Sequence, residues 1–297
     1  MNWKALAAIW LFPLSCSAAD SALPKGKLVF QTNRDGNEEI YLRDENGVET
    51  NLTNNPSDDA FPSISRDGKR VVFTSTRDGI ESLYIMNIDG TNLAPLVSNP
   101  GGPVTYGHFS GDGKLIVFTE PYSPTRNNIF LFDRATWQVS GPIGIPNERC
   151  EWGHLTPDGL TLVVNNYRRP GGPLPRGWYV TLVDRATGTQ TVVDSGCEPA
   201  FSADGTKLLY VHLPRGSGHS TIRMYDMATG QNQRMTAVKG YPYCPRFTRN
   251  GKWIIFAMTP DKKKPNLWEL YIMSSTPLSP PIRITSNNDE DVNPDFR

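Results

Sequence analysis

Along most of the chain, short runs of alternating apolar and polar residues are punctuated by Asp-Gly or Asn-Gly pairs. The clearest stretch runs from Phe61 to Leu96. It opens with a short apolar segment (Phe61, Ile64), turns at Asp67-Gly68, and continues as a β-branched run (Val71, Val72, Phe73). A second turn at Asp78-Gly79 leads to an alternating segment (Leu83, Tyr84, Ile85, Met86), and a third at Asp89-Gly90 to a last short segment ending near Leu96. Period-two alternation between turn residues predicts strands, so the stretch reads as a four-stranded meander. The unit recurs. Its first turn at Gly68 returns at Gly113, Gly159, Gly205 and Gly251, at successive spacings of 45, 46, 46 and 46 residues, and Gly26 stands 42 residues before Gly68. Five full units therefore begin near Phe61, Tyr106, Trp152, Pro199 and Cys244, behind a partial unit that starts at Lys27.

A self-similar four-stranded unit with a period in the forties is the pattern of a β-propeller blade. The front unit has its second, third and fourth strands but lacks a first. Asn293-Pro294-Asp295-Phe296 at the other end matches the first strand of the second unit, so the C-terminal strand is expected to complete the first blade and close the ring, removing its open edges. The expectation is an all-β, six-bladed β-propeller of four-stranded antiparallel blades. With strands lettered A to D from the axis outward, strand A is expected at Phe61–Ser65, His108–Ser110, His154–Thr156, Ala200–Ser202 and Arg246–Thr248. Residues four before each turn glycine (Ile64, Phe109, Leu155, Phe201, Phe247) are expected to fill the space between blades.

Length and composition refine this picture. A chain of 297 residues exceeds the usual single domain, but a closed repeat ring can hold it. Gly 26 and Pro 25 suit the many turns. Lys4, the apolar run Ala5 to Phe12 and the small residues Ser17-Ala18-Ala19 read as a secretory signal peptide over residues 1–19, followed by a short linker, 20–26, and the propeller, 27–297. An uncleaved anchor and lipidation of Cys16 are the alternatives. No apolar stretch is long enough for a membrane span, so the mature protein is expected to be periplasmic or secreted. Lys+Arg and Asp+Glu are both 30, and no charge excess draws the chain to nucleic acid. Cys150, Cys197 and Cys244 lie just before successive A strands; a disulfide, buried free thiols and a thiolate metal site all remain open.

Phe73-Thr-Ser-x-Arg-Asp-Gly79, the following Leu83-Tyr-Ile-Met86 and the preceding Pro62-x-x-Ser-x-Asp-Gly68 together resemble the TolB-type propeller repeat. The resemblance extends over everything after residue 26, sharply in the first two units and through the turn alone in later ones. The N-terminal α/β domain of TolB proper is not expected here. The resemblance implies a propeller in the cell envelope with an envelope protein as partner.

Strand direction alternates in each blade, so the segments leading into strand A share one face with the B–C connections, and the A–B and C–D turns share the other. The B–C connections lengthen from the third blade onward and carry Arg126, Arg168, Arg169, Arg176, Arg215 and Lys262-Lys263-Lys264. Long loops on a rigid scaffold favour binding, and this face is expected to work, with Arg126, Arg168 and Arg169 taking a ligand together with the mouth aromatics Tyr106 and Trp152. Phe61, Tyr241 and Tyr243 accompany them; these rings could instead plug the rim. Acids leading into strand A (Asp58, Asp59, Glu148, Glu151, Glu198 and Asp289 to Asp291) could hold a divalent cation at the channel mouth or meet the basic loops.

Five residues before each turn glycine stand Ser63, His108, His154, Ala200 and Arg246, with Asp295 from the closing strand. Two histidines on adjacent blades with Glu151 nearby are candidate metal ligands, although hydrogen bonding between blades explains them equally. Similar propellers that act as oligogalacturonate lyases hold a divalent metal with histidines while an arginine handles the uronate, and that resemblance gives Arg246 the ligand-binding part. No Gly-x-Ser-x-Gly elbow, phosphate loop or dinucleotide fingerprint is present. The leading expectation is a monomeric, non-catalytic binding module for an envelope protein or small acidic ligand, with no cofactor. The rival is a metal-dependent lyase or hydrolase acting on acidic (uronide) oligosaccharides.

Overall fold

The computed structural model describes residues 23–123, 126–168, 174–214, 219–237, 239–261, 267–287 and 289–297. The signal-peptide reading and Cys16 lie outside these residues. The chain opens with β1 (Leu28–Thr32), β2 (Glu39–Arg43) and β3 (Glu49–Asn51), then β4 (Asp59–Ile64), β5 (Arg70–Ser75), β6 (Ser82–Asn87) and β7 (Ala94–Val97). It continues with β8 (Thr105–Phe109), β9 (Leu115–Ser123), β10 (Arg126–Asp133) and β11 (Gln138–Ser140). Next come β12 (Arg149–Leu155), β13 (Thr161–Arg168), β14 (Gly177–Asp184), β15 (Gln190–Phe201), β16 (Lys207–His212), β17 (Thr221–Asp226) and β18 (Asn232–Arg234). The last strands are β19 (Tyr241–Phe247), β20 (Trp253–Thr259), β21 (Glu269–Ser274), β22 (Ile282–Arg283) and β23 (Asp291–Phe296). No α-helix occurs among the described residues.

All pairings are antiparallel between neighbours in sequence, with one exception that crosses the whole chain: β23 pairs with β1. Arg297 and Lys27 exchange backbone hydrogen bonds at 2.7 and 2.9 Å beside that seam. The hydrogen-bonded network comprises five sheets, where six separate ones were expected. Four of them have four strands and one has seven, β12 to β18. The difference lies in β15, whose first half pairs with β14 and whose second half pairs with β16. Gly196 sits at the changeover, where a Cβ would fall 2.3 Å from the Val211 carbonyl oxygen; only glycine lets the backbones approach this closely.

Hydrophobic clusters lie between successive meanders. Val72 and Leu83 meet Phe109, Ile116 and Phe130; Val117 and Ile129 meet Leu155 and Leu162; Val163 and Val180 meet Leu208 and Tyr210. Leu209 and Ile222 meet Phe247 and Ile254, Ile255 and Leu270 meet Leu28 and Phe296, and Val29 and Ile40 meet Ile64 and Phe73. The last of these contacts returns to the start of the first, so the sheets stand in a circle. Ile64, Phe109, Leu155, Phe201 and Phe247 all join these clusters, as their spacing from the turn glycines required.

The recurring Ser/Thr-x-Asp/Asn-Gly turn has a common geometry. The Ser65 hydroxyl donates to Asp67 at 2.6 Å while accepting from the Arg70 N–H, and Ser110/Asp112, Thr156/Asp158, Ser202/Asp204 and Thr248/Asn250 repeat the arrangement. The hydroxyl bond holds the Asp67, Asp158 and Asp204 carboxyls below the usual range. The Arg-Asp-Gly turn of the first two units also has a structural task. The Arg77 guanidinium forks onto both oxygens of buried Asp59 at 3.0 Å and lies 4.8 Å over the Tyr84 ring; Arg34 reaches Asp291 at 3.0 Å and covers Tyr41. Acids expected to face a cation at the mouth are thus held by arginines.

The innermost strands begin earlier than the turn spacing suggested. Each carries a register shift, at Ala60/Ser63, Thr105/His108, Glu151/His154, Cys197/Ala200 and Tyr243/Arg246, and opposite Val29/Gln31 in β23. In every shift one residue has positive φ: Phe61, Tyr106, Trp152, Glu198, Cys244 and Asn293. These bulges break the alternation from which strand limits were read.

Phe296→Ala, which empties the seam between the first and last units, is expected to lower stability by about 3 kcal/mol. Trp137→Ala, at a ring 65% exposed, is expected to change it by less than ~0.5 kcal/mol. Urea unfolding of both variants checks the pair.

Candidate functional site

Side chains at the bulges and at every second position below them point to a common axis. At the upper level, rings from different innermost strands meet: Phe61 and Tyr106 have centroids 4.3 Å apart, Tyr106 and Trp152 4.3 Å, and Trp152 and Tyr243 6.2 Å. Trp268, leading into β21, adds a tilted contact with Tyr243 at 5.5 Å. These aromatics fill the end of the axis at which the innermost strands begin. Tyr106 and Trp152 pack against one another in a tilted arrangement, and Trp152 is buried.

The rest of that level is polar. The Glu198 carboxylate accepts the Cys244 N–H at 2.6 Å, the Cys244 thiol donates to Asn293 at 2.8 Å, and the Asn293 amide donates to Gln31 at 2.6 Å. Gln31 in turn accepts the Phe61 N–H at 3.2 Å and donates to Glu38 at 2.8 Å. Burial first of all pushes the Glu198 carboxyl up to about 8, against the partial relief of the Cys244 N–H. Cys150, Cys197 and Cys244 are free thiols, and burial raises each above its ordinary value.

One step further along the axis the expected column assembles. Arg246 on β19 reaches across to His108 on β8, its Nη2 lying 3.2 Å from His108 Nε2. A guanidinium only donates, so that ring nitrogen accepts. The His108 and His154 rings are 4.3 Å apart, and burial holds both well below the usual imidazole value, aided by Arg246. Asp295 accepts from the Ser63 hydroxyl at 3.1 Å and the Ile64 N–H at 2.8 Å, and pairs with Arg297 at 3.2 Å. Arg246 is 6% exposed. Its Nη1 donates to the Pro245 carbonyl at 3.0 Å, its Nε makes no hydrogen bond, and no carboxylate lies within ion-pair distance of it among the described residues.

Below this layer the channel widens into a cavity of about 200 Å³ that opens among the A–B turns. Its wall includes His108, His154, Arg246 and Arg297, with Arg66 and Arg249 toward the opening. The cavity therefore opens on the face of the A–B turns, at the end of the axis away from the aromatic rings. Arg126 donates to Asn147 at 3.2 Å, and Arg168 stands 3.9 Å from Glu148; Arg169 lies outside the described residues.

The metal expectation does not fit the side chains as placed. Glu151 accepts from Asn127 at 2.8 Å and pairs with Arg149 at 2.6 Å, away from the imidazoles, while the Arg246 cation stands against His108. Among the described residues no three His, Cys, Asp or Glu side chains form a metal-holding group.

Residues 11–141 match the family described as the TolB beta propeller domain. Over those residues the chain is similar to that family, and the ring of sheets has the propeller architecture. Solved structures extend the likeness beyond the matched residues. TolB from Acinetobacter baumannii aligns at a TM-score of 0.73 and 20% identity, over 91% of this chain and 66% of that one. The propeller domain of the Trilobed protease from Pyrococcus furiosus aligns at 0.55 and 16%, over 86% and 81%. Oligogalacturonate lyase from Vibrio parahaemolyticus aligns at 0.50 and 14%, over 88% and 86%. At these identities the likeness is one of fold. This chain spans slightly less than two thirds of the Acinetobacter protein, and no curated protein matches it.

Two predictions follow from the aromatic rings and the polar half of their level. Trp152→Ala is expected to cost about 3 kcal/mol in urea unfolding, because the ring fills the axis of four strands. For Glu198 the sign is set by its raised value: between the ordinary 4.5 and about 8 the folded protein holds a proton that the unfolded chain releases, so stability falls as pH rises through that window. Glu198→Gln is expected to flatten the fall in thermal midpoint seen in the unchanged protein from about pH 5 to about pH 8. Parallel slopes for the two proteins overturn the assignment.

Proposed function

We propose that the TolB-like propeller has six blades, the seven-stranded sheet counting as two that share β15, and that it acts as an exported, non-catalytic binding module of the cell envelope. Six equivalent bulges and six clusters between meanders support the count. The N-terminal charge, apolar run and Ser17-Ala18-Ala19 support export to the periplasm or beyond. Among the described residues no helix is long and apolar enough to cross a membrane, in keeping with a module that works as a monomer outside the bilayer.

The observation that carries the binding role is the asymmetry of the channel. One mouth is filled by tilted and edge-on rings, while the other opens into a basic cavity whose floor contains a buried arginine with no carboxylate at ion-pair distance among the described residues. A protein that leaves a buried cation uncompensated forgoes stability, and such a group is best understood as facing something that arrives. An acidic side chain of an envelope protein or a small acidic ligand matches it. The His108–His154 contact, beside Arg246, is what the rival enzyme reading rests on, and the displaced Glu151 weakens it.

The expected result is that mature protein, immobilised through an engineered terminus, captures an envelope component that Arg249→Glu at the open mouth no longer retains. The same preparation is expected to contain well under one equivalent of divalent metal by elemental analysis and to leave oligogalacturonate intact. Stoichiometric metal lost in His108→Ala/His154→Ala, with consumption of the uronide, replaces the binding reading by the enzymatic one.

A further inference from the structure

We propose that the cavity is a carboxylate site, with Arg246 as the deep anchor and Arg66 and Arg249 as the outer contacts, fitted to a small molecule or chain segment bearing more than one carboxylate. The inference rests on the binding reading above and gives it a ligand chemistry.

Three features of the wall lead there. First, the Arg246 guanidinium is 94% buried yet keeps donors in hand: one N–H on Nη1 and one on Nη2 are engaged, and Nε has no acceptor. Nε is closed off from the cavity, but one N–H on each Nη remains, and a planar pair of Nη donors matches the two oxygens of a carboxylate. Second, the side-chain charges in the wall are four arginines, at 66, 246, 249 and 297, against the carboxylate of Asp295 alone. Asp295 already serves Arg297, the Ser63 hydroxyl and the Ile64 and Phe296 N–H groups, so it cannot neutralise Arg246. Third, the cations are spread in depth: Arg246 spans the floor, whereas Arg66 and Arg249 stand beside the A–B turns at the opening. One carboxylate reaches the floor while a second remains among the outer arginines. About 200 Å³ is room for roughly six or seven waters at ~30 Å³ each, and thus for a ligand of citrate size or the end of an acidic chain.

Citrate, acetate and a short Glu-rich peptide serve as probes of the purified, folded protein by calorimetric titration, with Lys114→Ala as a control at a surface cation on the same face but outside the cavity. Citrate is expected to bind one to one and to exceed acetate by at least tenfold. Arg246→Ala is expected to weaken citrate by ten- to a hundredfold, Arg246→Lys to restore part of the loss, and Arg249→Gln to weaken it about threefold to tenfold with a shallower salt dependence; Lys114→Ala is expected to match the unchanged protein. Arg249→Gln lies at the opening and reports even where Arg246→Ala fails to fold. Comparable losses for the peptide assign the site to an acidic chain segment; losses for citrate alone assign it to a free metabolite. Citrate affinity indifferent to both Arg246→Ala and Arg249→Gln overturns the site. Absence of carboxylate binding in a protein that still captures its envelope component overturns the site and leaves the binding module standing. Turnover of a uronide with intact citrate binding overturns the non-catalytic reading and leaves the site standing.

Discussion

The channel depends on one backbone constraint, repeated around the axis: a non-glycine residue held in left-handed conformation within each innermost strand. Such residues cost roughly 1–2 kcal/mol each relative to ordinary backbone, and Phe61, Tyr106 and Trp152 are among the bulkiest side chains that could be placed there. The contacts they gain offset the strain. The bulge turns the side chain into the axis, where aromatic neighbours from other sheets receive it. The same kink re-registers the strand, so that positions two residues further on, His108, His154 and Arg246, also converge on the axis.

The upper level solves the problem of filling an axis in two ways at once. Half of it is apolar and close-packed; the other half is a hydrogen-bonded arc through Glu198, Cys244, Asn293 and Gln31. A buried carboxyl in that arc is tolerable because burial raises its pKa to about 8, and the Cys244 N–H, which favours the charged form, offsets this only in part. Beneath it, Arg246 has no comparable solution. Its acceptors, the Pro245 carbonyl and the His108 imidazole, are both uncharged, and the contrast between a satisfied glutamate and an incompletely satisfied arginine on neighbouring strands separates the structural part of the axis from the part that lines the cavity.

Much of this was legible in the sequence because turn chemistry is local. The Ser-x-Asp-Gly spacing carried the repeat, the residues four before each glycine carried the core between meanders, and Asn293 to Phe296 carried the ring closure. The column of His108, His154 and Arg246 was visible by the same arithmetic. What escaped was whatever depended on the bulges, since a left-handed Tyr or Trp has no signal in composition. Without them the aromatics read equally as a contact surface or a plug, and Glu151 as a neighbour of His154. Long loops marked where the chain had length to spare; the cavity formed where turns were tight and the inner side chains small, at Gly111, Ala200 and Ala203. Spacing alone also could not distinguish two sheets from one, because the join at β15 is a matter of hydrogen bonding past Gly196.

That join makes the ring unequal as a template for rearrangement. Between other meanders the chain passes from rim to axis through connecting segments, at residues 52–58, 98–104 and 141–148, any of which can be cut and the original ends fused without severing a strand. At β15 the path from rim to axis is itself sheet. New termini placed there would fall inside a hydrogen-bonded ladder, so among circular permutants of this propeller the one opened beside Gly196 stands apart from the rest.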